Sequence, residues 1–351
     1  MTNLLLILLL LVGCENPIWS EQSDKCSENF SKIIGTSDIF SVQCYYNEDI
    51  EVLEDFIQNS ESSLNVNQLD RFNINGSVDW YELGFQIWSP GGRLSQFSTL
   101  WEDMSQDTTY NSNLSGVIPI SIANWTSIRY LYLGYHPIST VPEETLTGNI
   151  PNEMSSLVNL QNLYLHSNSF SGEITDIFTN MINLRTLWLD NNNFEGPIPA
   201  SIWELNNLRQ LYLEHNNLSG IIDSKIENLT FLEHFWINHN SFSGTLPDEI
   251  YTLDNLIKLK VNNNLFEGNI SSNIANLSNL EVVDFSYNNL EGIIPESICS
   301  LNVEFGGYWS DKYYLYDINN FGITNNYLCP NIEAPFYPVC IQDYIGTQIY
   351  D

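Results

Sequence analysis

Short apolar triplets return along this chain at a spacing of 24 residues: Leu163-Tyr164-Leu165, Leu187-Trp188-Leu189, Leu211-Tyr212-Leu213, Phe235-Trp236-Ile237, Leu259-Lys260-Val261 and Val283-Asp284-Phe285. A seventh, Leu131-Tyr132-Leu133, precedes them by 32 residues, one period plus eight. A fixed period of this size describes a solenoid, in which each unit buries its apolar side against the next copy rather than in a shared central core. That restricts the chain to an elongated stack, and it makes columns of equivalent residues, rather than isolated motifs, the units in which function is read.

Within a triplet, strand alternation sends the outer two residues to the core and the central one to the opposite, solvent-facing side. Three residues after the second core position stands Asn168, Asn192, Asn216, Asn240, Asn264 or Asn288. A buried Asn can satisfy backbone groups of its own turn and of the neighbouring one. Phe or Leu follows two residues later and Gly four later, as in Asn192-Asn193-Phe194-Glu195-Gly196. Then come Ile198-Pro199, Leu246-Pro247 or Ile294-Pro295 and a helical half-turn such as Ser201-Ile202-Trp203-Glu204-Leu205. Gly allows the tight bend, and Pro suits an extended stretch with no partner for an N–H.

Leu-x-x-Leu-x-Leu-x-x-Asn-x-Phe/Leu-x-Gly-x-Ile-Pro-x-x-Ile-x-x-Leu resembles the plant-specific class of leucine-rich repeats. It is similar to plant receptor-kinase ectodomains, polygalacturonase-inhibiting proteins and bacterial surface lipoproteins that carry the motif. The resemblance covers residues 110–330. It implies an α/β solenoid, a curved array of 24-residue repeats with a parallel β-sheet on the concave side and caps at both ends. Repeats are placed at residues 110–305, after an N-terminal capping region at 47–109, and a C-terminal cap with a last strand at Phe321-Gly322-Ile323 fills 306–351. Departures are Thr175, Asp223 and Ser271 at the Pro position, and His136 at the first Asn position. The eight extra residues Pro137–Glu144 follow His136 and form a candidate contact loop.

Leu4–Val12 is an uncharged apolar run that ends in Leu11-Val12-Gly13-Cys14. It is too short to span a bilayer. Residues 1–14 read as a lipoprotein-type signal peptide with Cys14 as the lipidated residue, an ordinary signal peptide being the alternative because Met1-Thr2-Asn3 carries no cation. Residues 15–46 read as a polar tether, and the expected location is the bacterial cell envelope, on the outer membrane or cell surface. Forty-three acidic residues against 11 basic ones leave a formal charge of −32, which argues against nucleic acid or anionic lipid as a partner. Membrane association is therefore expected through the lipid alone. Triplets such as Asn124-Trp125-Thr126 and Asn228-Leu229-Thr230 fit glycan acceptors in form, yet beside a lipobox they read as repeat grammar.

With Cys14 taken by lipid, five cysteines remain. Cys26 and Cys44 flank the N-terminal segment and could pair there. Asn326-Tyr327-Leu328-Cys329-Pro330 with Pro338-Val339-Cys340 resembles the disulfide-closed C-terminal cap of the family. The resemblance favours Cys329–Cys340, with Cys299–Cys340 the open alternative. Asn47 precedes Glu48–Ile57, which reads as a helix capped by Asn47 with acids in its first turn. Downstream, Asn73, Asn75, Gly76, Asp79 and Glu82 carry much of an EF-hand loop. Arg71 stands where its first carboxylate belongs, so the calcium site is a weak candidate and a capping turn is the plainer reading.

The central column runs Tyr132, Tyr164, Trp188, Tyr212, Trp236, Lys260, Asp284. At about 4.8 Å per rung, five aromatic rungs make a stripe of about 19 Å, and exposed aromatic stripes mark recognition sites. The competing reading is a stack of rings that stabilises the sheet. Beside the stripe lie Asp190, Glu214, His215 and His239, a polar rim expected to contact a ligand. His215 and His239 beside Asp190 and Glu214 could also shuttle protons or hold a metal. No nucleophile motif or phosphate loop accompanies them, however, and the chain reads as non-enzymatic with no cofactor. The expectation is a lipid-anchored, extracytoplasmic binding protein with a protein partner (adhesion, envelope interaction or inhibition of a secreted enzyme). The alternative is a polysaccharide lying along the same stripe.

Overall fold

The computed structural model describes residues 30–33, 43–60, 83, 85–89, 93–103, 108–111, 113–135, 144–305, 308–310, 317–329 and 337–343. Each triplet forms a three-residue strand: Tyr130–Tyr132, Asn162–Tyr164, Thr186–Trp188, Gln210–Tyr212, His234–Trp236, Lys258–Lys260 and Val282–Asp284. They pair in parallel with no slip, Leu187 opposite Leu163 and Leu211, and Phe235 opposite Leu211 and Leu259. Phe321–Gly322 adds a strand at one end through Val283↔Phe321. At the other end the sheet runs on into the region read from sequence as a cap. Leu94–Ser98 pairs in parallel with Tyr130–Tyr132, and Phe85–Trp88 closes it antiparallel, giving ten strands.

A second, eight-stranded sheet was not apparent in the repeat grammar. Seven of its strands are the Phe/Leu-x-Gly stretches, among them Ser169–Glu173, Asn193–Gly196, Ser241–Thr245 and Asn289–Ile293, and Tyr327–Cys329 is the eighth, again in parallel. The Gly of each stretch has φ between 73° and 86°, the left-handed region that glycine enters at no steric cost. Between the sheets, each repeat closes through a 3-10 turn such as Ala200–Glu204 or Asp248–Thr252. Two of the three missing prolines have a replacement. Asp223 Oδ1 accepts from Lys225 N at 2.8 Å and Ser271 Oγ from Asn273 N at 3.3 Å, so a side-chain cap stands in for the fixed φ.

The core is one continuous cluster running from Val52 and Phe56 through the repeat leucines to Leu328 and Ile341. Two asparagine ladders bind the rungs. In the buried one, Asn192 Nδ2 donates to Leu165 O at 3.0 Å in the preceding rung and to Leu189 O at 3.1 Å in its own, and its Oδ1 accepts from Phe170 N. Asn168, Asn216, Asn240, Asn264 and Asn288 repeat this pattern, as does Asn326 in the last rung. The exposed ladder was missed in the sequence. Asn159, Asn183, Asn207, Asn255 and Asn279 each donate back to a carbonyl of the preceding turn at 2.7–3.1 Å.

The N-terminal end is closed by the helix α1, Asn47–Asn59. Its N-cap is Tyr46 with no side-chain cap, so Asn47 opens the helix rather than capping it. Asp49, one of the acids of the first turn, is fully buried. It accepts from Arg93 Nε at 2.8 Å, Arg93 Nη2 at 2.9 Å and Leu94 N at 2.8 Å, while its carbonyl takes Trp125 Nε1. Desolvation pushes the Asp49 carboxyl up, and the three donors that prefer the charged form oppose it. At the C-terminal end the disulfide is Cys299–Cys340, not the favoured Cys329–Cys340. Cys299 lies in the last repeat's 3-10 turn, Glu296–Ser300, and the turn Val339–Ile341 packs back on it, bringing the two Cα atoms to 5.6 Å. Cys14, Cys26 and the loop bearing Asn73, Asn75, Asp79 and Glu82 lie outside the described residues, as do His136 and residues 137–143. Nothing described therefore bears on lipidation, the Cys26–Cys44 pair or the calcium candidate.

Candidate ligand-binding face

Three-residue strands place two columns, not one, on the face opposite the core. Beside Tyr132 to Lys260 runs Tyr130, Asn162, Thr186, Gln210, His234, Lys258 and Val282, each two residues earlier and so on the same side by alternation. The sequence reading passed over this second column because the repeat signature leaves its position variable.

The aromatic rungs lie against one another. Ring centroids are 5.2 Å apart for Tyr132–Tyr164, 5.0 Å for Tyr164–Trp188, 4.7 Å for Trp188–Tyr212 and 4.6 Å for Tyr212–Trp236, the last pair within 5° of parallel. Lys260 Nζ ends the series 4.9 Å from the Trp236 ring. The expectation of a solvent-facing stripe is corrected here: Trp188 is 9 % exposed, Tyr212 3 % and Trp236 1 %. From Trp188 through Tyr212 to Trp236 ring face covers ring face, whereas Tyr164 meets Trp188 edge-on. Two of their polar atoms are engaged by the second column. Trp188 Nε1 donates to Gln210 Oε1 at 3.2 Å, and Tyr212 Oη lies 2.7 Å from His234 Nδ1. Tyr132 Oη lies 3.2 Å from His166 Nε2.

The expected polar rim divides into two. Asp190 and Glu214 are buried and engaged, Asp190 Oδ2 accepting from Asn191 Nδ2 at 2.8 Å, so they offer no rim to solvent. His215 and His239 are exposed, and they share their column with Ser167, Asn191, Asn263, Tyr287 and Asn325. All seven have φ between 53° and 57°. Few residues other than Gly tolerate that region, with Asn and His among the more tolerant, which explains why His and Asn exchange along this column. The two imidazoles stack at 4.2 Å and 12°. Partial desolvation within the stacked pair pushes His215 down to about 4, helped by His239 and Lys260, and partial desolvation with Lys260 lowers His239. Burial beside Lys258 lowers His234 to about 4 as well. At neutral pH all three are uncharged hydrogen-bonding rings. Among the described residues no group of three His, Cys, Asp or Glu is placed to hold a metal. Nor is any helix there long and apolar enough to cross a membrane.

Comparison with known proteins agrees with this geometry. The leucine rich repeat family matches residues 158–218, and again 231–253 and 279–301. No curated protein sequence matches the chain. Among solved structures, the plant peptide hormone receptor RGFR1 in complex with RGF2 is 30 % identical with a TM-score of 0.55, over 67 % of this chain and 34 % of that one. The ectodomain of the Arabidopsis receptor kinase HAESA in complex with an extended IDA peptide hormone is 29 % identical with a TM-score of 0.51, over 63 % and 33 %. A plant ice-binding protein shares the fold alone, at 19 % identity and a TM-score of 0.54, over 88 % and 96 %. The chain thus spans about a third of the length of these two receptor structures. The ladders, the paired parallel sheets and these matches together show a chain built of leucine-rich repeats and folded as a leucine-rich-repeat solenoid.

Proposed function

We propose that this chain is an exported, non-enzymatic binding protein that recognises a protein or peptide partner at the ten-stranded sheet, anchored to the cell envelope through a lipid on Cys14. The observation that carries the reading is the column at φ 53–57°, which presents His215, His239 and Tyr287 to solvent at fixed spacing beside a rigid stack of rings. Such a column costs conformational energy at each residue that is neither Gly nor Asn, and it returns a pre-organised recognition edge. The receptors RGFR1 and HAESA, with peptide hormones in their complexes, lend support from a related fold. A polysaccharide lying on the rings is less favoured, because sugar stacking needs open ring faces and these are occupied by neighbouring rings.

The test is capture by the full chain from an extracellular protein extract, beside a variant with His215→Asn, His239→Asn and Tyr287→Asn. Asn already occupies this column at 191 and 263, so the backbone is kept. Loss of the captured protein at unchanged melting temperature supports the reading. Equal capture by both proteins refutes it, and selective retention of glycan would replace the partner class.

A further inference from the structure

One line of side chains runs against the charge of the whole molecule. The residue that enters each strand of the long sheet forms a column: Arg129, Gln161, Arg185, Arg209, Glu233, Ile257, Glu281. Its backbone is continuous from rung to rung, with Arg185 N donating to Gln161 O at 2.7 Å and Arg209 N to Arg185 O at 2.8 Å. Three of the chain's 11 basic residues therefore stand in one register line, in a protein with 43 acidic ones. All three are exposed. Arg185 and Arg209 are on adjacent rungs, about 4.8 Å apart at the backbone, where like charges oppose each other. Arg209 is shared with Glu233. Arg129 and Arg185 form no ion pair among the described residues.

A second departure falls at the same place. The exposed asparagine ladder has Asn at 159, 183, 207, 255 and 279, and at 231 it has Phe. Phe231 gives up the ladder hydrogen bond and leaves a ring 47 % exposed, 5.8 Å from the Arg209 guanidinium. Ile182, three residues before Arg185, is 60 % exposed. Guanidinium groups flanked by exposed apolar side chains have the make-up of an interface hot spot.

We propose that Arg129, Arg185 and Arg209 with Phe231 and Ile182 form a docking strip for an acidic segment of a protein partner. This rests on the partner-binding reading above and adds the partner's chemistry and a second contact line, at the strand-entry edge. The chain's net charge of −32 opposes an acidic ligand at long range. At physiological salt, however, charges more than about 8 Å away are screened, and the local guanidinium groups decide. Bidentate geometry lets Arg bind carboxylates specifically, and the exposed ring adds apolar contact.

The test uses the full chain and a rhodamine-labelled peptide of eight Glu with a central Leu pair, at 0.15 M salt, followed by fluorescence anisotropy. Its Gln counterpart and polygalacturonate are competitors. Arg185→Gln with Arg209→Gln should weaken binding of the Glu peptide at least about tenfold. Phe231→Asn, which restores the ladder and so keeps the fold, should weaken it by about threefold or more. Lys225→Gln, which removes an exposed cation outside the strip, should leave it unchanged, and because the readout is a defined Glu peptide, its failure is told apart from failure of protein capture in the rim test. Equal affinity for Glu and Gln peptides, no binding at millimolar peptide, or indifference to the Arg substitutions would overturn the proposal. Tighter binding of polygalacturonate than of the peptide would overturn it in favour of a polyuronide.

Discussion

Replacing Asn216 by Ala removes one rung of the buried ladder, and the structure states what is lost. Asn216 Nδ2 donates to Leu189 O, Leu213 O and Glu214 O at 3.0, 3.1 and 3.3 Å, and its Oδ1 accepts from Phe194 N at 3.0 Å. The carbonyls are not orphaned by the change. Leu189 O keeps Asn192 Nδ2, Leu213 O keeps Asn240 Nδ2 and Glu214 O keeps Asn191 N. The Phe194 N–H loses its acceptor, and Phe194 is fully buried. One orphaned buried donor costs about 1–3 kcal/mol, and a small void adds to it, so the variant should lose about 2–3 kcal/mol. Asn207→Ala removes a single exposed bond to Ile182 O and should lose only about 0.5–1 kcal/mol. Urea unfolding followed by far-UV circular dichroism measures both from the midpoint, provided that the slope is unchanged. A cost for Asn216→Ala no greater than that for Asn207→Ala would refute the reasoning, because it would mean that the donor finds another acceptor.

Stability should fall as pH drops from 6.5 towards 4, because His234 is depressed to about 4 in the fold and the unfolded chain takes up the proton first. The contribution is whole above the unfolded value and lost through the folded one. His234→Gln should flatten that part of the pH–stability curve by up to about 3 kcal/mol, and an unchanged slope counts against it. Arg93→Gln leaves the buried Asp49 carboxylate without its cation and should cost about 3–5 kcal/mol by urea unfolding, whereas Arg185→Gln should be nearly neutral. Peptide mapping should recover Cys299 linked to Cys340, and reduction should lower stability by up to about 4 kcal/mol for a sequence separation of 41. Gly292→Ala puts a Cβ on a backbone at φ 79° and against Asn269 Oδ1, and it should lower the melting temperature where an exposed Ser→Ala change does not.

Much of this architecture is written locally. A period of 24 residues places Leu187 against Leu163 and Leu211 because each repeat's partner is a copy of itself. Strand, core column and buried Asn ladder therefore follow from spacing alone. The left-handed column and the 3-10 turns are local too, though the turn chemistry was readable only in part. Asp223 and Ser271 announce caps, while the exposed Asn159–Asn279 ladder depends on a carbonyl one turn back.

What the tertiary structure decided lies between rungs and at the ends. Alternation says which side Trp188, Tyr212 and Trp236 face, but only the distance between neighbouring rings says whether that side is open. At 4.6–4.7 Å it is closed, and the side chains left exposed on the neighbouring column are His215, His239 and Tyr287. The caps have no repeat to copy. Asp49 meets Arg93 across 44 residues, and Cys340 meets Cys299 across 41. Those pairings are set by how non-repeating segments fold back on the last rungs, and no local pattern in the chain encodes the approach.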